Sequence, residues 1–153
     1  MKNKSHDFLL DWAVNYARNK DSISKKIESI EKEKDGFDLL IRYKDKAQYF
    51  MIMPAIDINF VLQKLKNDVH VSIVTLNSKE NLDALLKNWG RLANFKFLNV
   101  IFANPFSELD KRWIIFPHTH NKICDESSLE AGLRSMFEMV EPIEEAQLIS
   151  KIG

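Results

Sequence analysis

Two histidines, His118 and His120, stand within six residues of the chain's single cysteine, Cys124. If the strand before them continues past Pro117, alternation places both imidazoles on one side. Imidazoles in that relation can hold zinc or another borderline metal, with Cys124, Asp125 or His70 to complete the set. The spacing fixes no third ligand. The competing reading is a loop whose histidines bond backbone carbonyls. Cys124 beside a histidine also has the composition of a nucleophile and its base. Nothing at a recognisable spacing orients that pair or builds an oxyanion hole, so an inert, partly buried thiol is expected.

Among the acids, Asp38 stands out because it sits among apolar neighbours near the start of a strand, directly after Asp35-Gly36 and Phe37. It is the candidate catalytic carboxylate. Its alternative role is to hold the turn or to face solvent. The four glycines, Gly36, Gly90, Gly132 and Gly153, are isolated, so no phosphate-cradling loop is present. Trp12, Trp89 and Trp113 fall on apolar stripes and are expected in the core. Base stacking needs aromatics interleaved with cations. The adjacent pairs of that kind, Arg112-Trp113 and Lys96-Phe97, lie inside apolar strands.

Charge narrows the options further. Lys plus Arg equals Asp plus Glu at 22 each, so no global field draws in a polyanion. A local basic face from Arg18 to Lys34 is the route left for nucleic acid, although Glu28, Glu31 and Glu33 interrupt it. One cysteine permits no internal disulfide and suits a reducing compartment. The N-terminus is basic, but Asp11 and Asn15 break the apolar run that a signal peptide needs. A cytoplasmic, soluble protein is expected, with no membrane span and with homo-oligomerisation open.

The elements that must position these residues follow from periodicity. Residues 7–19 read as an amphipathic helix capped by Asp7, with Phe8, Leu9, Trp12, Ala13 and Tyr16 on one face. Residues 22–34 fit either a helix, through Ile23, Ile27 and Ile30, or a strand; Asp35-Gly36 is a hairpin signal and favours a strand over 26–34. Residues 37–43 and 47–53 are strands, the second apolar on both faces and therefore interior. A short helix over 58–66 precedes a strand over 69–76.

Asn77 with Glu80 suggests a capping box for a helix carrying Leu82, Leu85, Leu86, Trp89 and Leu92. Strands over 97–103 and 112–116 come next. Ser127 with Glu130 suggests a second capping box, and a frayed tail follows from 143 to 153. The whole reads as one α/β (α+β) domain: a mixed sheet with a three-strand meander and a βαβ crossover, helices packed on it.

That element order, over residues 7–103, resembles the restriction-endonuclease-like PD-(D/E)XK superfamily. There, an acid near the start of one strand and an acid-x-lysine on the next bind magnesium and activate water. Asp38 is placed as the first acid, which the resemblance makes catalytic. On the following strand, however, Gln48 and Phe50 stand where the acid and lysine belong, so the resemblance implies a catalytically dead member. The order is also similar to the small type III secretion chaperone fold, which binds polypeptide. The sequence thus favours a non-catalytic binding or scaffold protein acting on a protein partner, without cofactor. The rival is a metal-dependent hydrolase or nuclease using Asp38, His118 and His120 with a divalent ion.

Overall fold

A computed structural model describes residues 3–153 and shows one six-stranded mixed sheet, with strands in chain order from edge to edge. α1 (Lys4–Lys20) leads into the meander β1 (Ile27–Lys34), β2 (Phe37–Tyr43) and β3 (Ala47–Ile52). Next come α2 (Ile58–Lys64), β4 (Val71–Leu76), α3 (Lys79–Lys87), α4 (Trp89–Leu92) and β5 (Leu98–Ala103). The chain ends with β6 (Arg112–Ile115), α5 (Pro117–Ile123), α6 (Glu126–Glu138) and α7 (Glu145–Ile152). β3, β4 and β5 are mutually parallel; β1, β2 and β6 run antiparallel to their neighbours. This is the mixed α+β architecture expected from the pattern.

Burial explains the pattern. All six residues of β4 are buried, because it lies between parallel partners with helices over both faces. One face packs Met51, Ile73, Val100 and Phe102 against α2, α3, α4 and α6. The other packs Phe50, Ile52, Val74 and Ile101 under α1 and α7. In the turn between β1 and β2, Asp35 (φ 56°) and Gly36 (φ 82°) are both left-handed, the conformation that a two-residue hairpin requires. The strand reading of this segment therefore holds, over 27–34, and 21–24 form the turn before it.

Three expected helix starts move. Asn3, whose side chain accepts the His6 N–H, caps α1, so Asp7 lies inside the first turn. Ser78 rather than Asn77 caps α3. Asp125 rather than Ser127 caps α6, receiving the Ser128 N–H at 2.9 Å. In each case a residue slightly upstream or downstream has the side-chain oxygen in position for the free N–H groups.

The tail expected to fray is instead a packed element. Ile143 is 2% exposed, and Leu148, on α7, is fully buried. Apolar residues at 143, 148 and 152 bury against α1's side of the sheet, and that burial outweighs the chain-end entropy. To get there from α6, residues 139–144 must cross the carboxyl ends of the parallel strands from one face to the other.

Candidate functional site

In open α/β sheets the usual ligand crevice lies outside the carboxyl ends of parallel strands. Here two buried asparagines, Asn77 and Asn104, tie the crossing segment into that position, and a third, Asn81, ties the segment after β3 to the end of β4. Asn77, fully buried, donates through Nδ2 to Val140 O (2.9 Å) and Phe137 O (3.1 Å) and accepts from Trp113 Nε1 (2.7 Å). Its backbone carbonyl accepts the Ile143 N–H. Asn104 donates to Glu141 O at 2.9 Å and accepts the Phe106 N–H. Asn81 donates to Pro54 O and Leu76 O and accepts the Ile56 N–H. These amides are engaged by backbone groups and, at Asn77, by the Trp113 indole, which makes them fasteners of the strand ends rather than ligand groups.

Asp38 is likewise engaged. Its Oδ2 accepts the Ile52 N–H at 2.8 Å, and its Oδ1 lies 2.9 Å from His6 Nε2. The physical cause is the end of the β2–β3 ladder at the Leu39–Phe50 pair. Neighbouring N–H groups of β3, those of Tyr49 and Met53, point to β4. The Ile52 N–H points the other way, where the Asp38 carboxylate takes the place of a ladder carbonyl. A magnesium ion wants several oxygen ligands. One carboxylate already accepting an N–H beside an imidazole does not fit that requirement.

The structure separates the two C-terminal histidines. Past Pro117 the chain turns into α5, so residues two apart diverge around the helix instead of sharing a side. Proline suits the first turn of a helix, since its missing N–H would have no partner there. His118 Nδ1 bonds Ala93 O at 2.9 Å, while His120 Nδ1 is buried without a partner among the described residues. Cys124 caps α5 and is half-buried. Among the described residues, no three His, Cys, Asp or Glu side chains are arranged to hold an ion. Asp38 lies with His6 on the α1 side and is not brought together with either C-terminal histidine.

Open concavities lie along α1, and another lies beside α7. Phe8, Trp12 and Tyr16 recur every four residues on this helix. Phe8 stacks on Phe106 (5.4 Å between centroids) and Trp12 on Tyr16 (5.3 Å). The Arg112 guanidinium lies 5.0 Å from the Tyr16 centroid. A groove of about 390 Å³ runs between Trp12 and Tyr16 on one side and Pro105, Lys111 and Arg112 on the other. Of the three tryptophans, Trp89 and Trp113 are core residues, whereas Trp12 is only half-buried and lines this groove.

No family model, curated protein or solved structure matches this chain.

Arg18 and Lys32, from the expected basic face, line a separate shallow groove between α1 and β1 that also contains Asp11. Among the described residues, no helix is long and apolar enough to cross a membrane. Sequence reasoning missed His6 and the Tyr16–Arg112 contact. His6 lies on the same helical stripe as Leu9 and Ala13, so a polar residue on a buried face was the available signal. Tyr16 and Arg112 are brought together by tertiary packing alone.

Proposed function

We propose that this chain is a non-catalytic binding protein, and that the groove beside α1 receives an extended, acidic segment of a protein partner. The observation that carries this reading is the composition of the groove: Trp12, Tyr16, Pro105, Lys111 and Arg112 line it, with two cations and no carboxylate. Trp, Tyr and Arg dominate the binding energy of protein interfaces: the aromatics combine large area with few rotatable bonds, and the guanidinium pairs bidentately with carboxylates. Arg112 is in no ion pair among the described residues, so a partner carboxylate meets a cation with no competing carboxylate there. Tyr16 already stacks on Trp12 and carries the guanidinium, which leaves a nucleic-acid base little free ring face to stack on. The candidate Asp38 supports the same reading, since its oxygens serve the fold.

The test is selection of peptides from a random dodecapeptide library on the immobilised chain. Enrichment of sequences with Asp or Glu beside apolar residues, abolished in Trp12→Ala and Arg112→Glu, supports the reading. Enrichment of basic sequences, or no enrichment beyond a blank surface, overturns it. Tight binding of single-stranded oligonucleotides that weakens steeply with salt would replace the protein partner with nucleic acid.

A further inference from the structure

At the opposite end of the sheet the parallel strands share a peculiarity. The second residue of each is polar: Gln48 on β3, Ser72 on β4 and Asn99 on β5. All three face α1, on the same side as Phe50, Val74 and Ile101. Ser72 and Asn99 are paired across the β4–β5 ladder, and Gln48 lies two residues before Phe50, the β3 partner of Ser72. Gln48 Nε2 donates to Ser72 Oγ at 2.9 Å, and both residues are over nine-tenths buried. An interface between helix and sheet needs no such row; leucine or valine would pack there without a polar cost.

Above this row α1 reaches its last turns with a small residue, Ala17, flanked by Tyr16 and Lys20. The result is a chamber of about 160 Å³ whose walls include Gln48, Ser72, Asn99, Tyr16 and Phe116. Two buried atoms on residues lining it, Tyr16 Oη and Asn99 Oδ1, have no hydrogen-bond partner among the described residues. Leaving a buried polar atom unpaired costs about 1–3 kcal/mol. The chamber adjoins an outer one of about 270 Å³, sharing Ala17, Lys20, Tyr43 and Lys46. Together they fall in the range of roughly 300–1,000 Å³ typical of small-molecule sites.

The mouth is cationic. Of the acids beside it, Asp21 accepts the Lys26 and Ile27 N–H groups at 2.8 and 3.0 Å, and Asp45 pairs with Lys26 at 3.7 Å. Lys20 and Lys46 are left with no carboxylate partner among the described residues and lean over the Tyr16 and Tyr43 rings. Burial, with Asp21 and Tyr16 nearby, pushes the Tyr43 phenol up, so it remains a neutral donor across the physiological range.

We infer that this two-chambered pocket binds a small polar molecule carrying an oxyanion, a carboxylate or a phosphate, with the anion between Lys20 and Lys46 and a hydroxyl- or amide-bearing body against Asn99, Ser72 and Tyr16. The inference does not rest on the peptide groove; the two meet at Tyr16, but the groove lies on its far side toward Pro105.

The test uses the full chain, isotopically labelled, with the side-chain amides of Gln48 and Asn99 followed by NMR. The probes are inorganic phosphate, malate and glycerol 3-phosphate, with glycerol as the uncharged control. Saturable shifts of both amides with at least one anion, weakened tenfold or more in a Lys20→Ala/Lys46→Ala variant, are expected. Phosphate alone, or malate alone, then identifies which oxyanion the mouth prefers. Asn99→Leu is the companion variant: it removes an unpaired polar group, so its melting temperature holds or rises while anion binding is lost. Absence of saturable shifts with all three anions overturns the inference. So do shifts unchanged in the double lysine variant, or an Asn99→Leu protein that melts clearly below wild type, which would make Asn99 a structural residue.

Discussion

Replacing Asn77 by alanine tests whether the crossing segment is held as the geometry implies. The side chain makes three hydrogen bonds in a fully buried position. Phe137 O also receives the Val140 N–H at 3.4 Å, so it keeps a partner after truncation. The Trp113 indole N–H and Val140 O lose theirs. Two buried orphans at about 2 kcal/mol each amount to about 4 kcal/mol. For a chain of this length that lowers the melting temperature by about 8–16 °C. Urea unfolding followed by tryptophan fluorescence measures the loss, and exchange of the Trp113 indole proton reports the site itself.

Asn77→Asp sharpens the same prediction. The carboxylate can still accept from Trp113, but its other oxygen faces two carbonyls, which raises its folded-state pKa above the unfolded value of about 3.9. Relative to wild type, its stability is therefore retained below that unfolded value and lost as pH rises through the folded one. An alanine variant losing less than about 1 kcal/mol with the Trp113 indole proton still protected would refute the fastening role.

Asp38→Ala orphans the Ile52 N–H and costs about 2–4 kcal/mol, while Asp38→Asn keeps that bond and costs less. A rise in melting temperature with magnesium or manganese, abolished in Asp38→Asn, would instead assign the carboxylate to a metal. Asp21 is held below the usual carboxylate range, first by the Ile27 N–H and then by the Lys26 N–H and Ser24 hydroxyl. Its contribution is present above its ordinary value of 3.8 and is lost as pH falls through the lower folded value, so acid titrations of wild type and Asp21→Ala should converge. Gly36→Ala, at φ 82°, should destabilise by about 1–2 kcal/mol through backbone strain; the nearby Lys64 ammonium can swing aside. An unchanged urea midpoint would count against a left-handed turn.

Strand and helix identities were legible because periodicity reports which face is buried. The Asp35-Gly36 turn, the interior position of β3 and the stripe on α3 all follow from local spacing. Helix caps were less legible, since several Ser, Asp and Asn residues compete at each start and only the backbone path selects among them. The frayed-tail expectation failed at Ile143 and Leu148 because nothing local to an acidic terminus announces a distant apolar surface.

For the candidate sites the division is sharper. Gln48, Ser72 and Asn99 are each visible as a polar second residue in an apolar strand, yet only sheet register lines them up under α1. His118 and His120 had suggestive spacing, and a proline that starts a helix turned them apart. Local chemistry dictates periodicity and turn conformation because those depend on neighbours within a few bonds. Which side chains converge depends on strand order and on the route of residues 139–144 across the sheet, and those are set by burial summed over the whole chain.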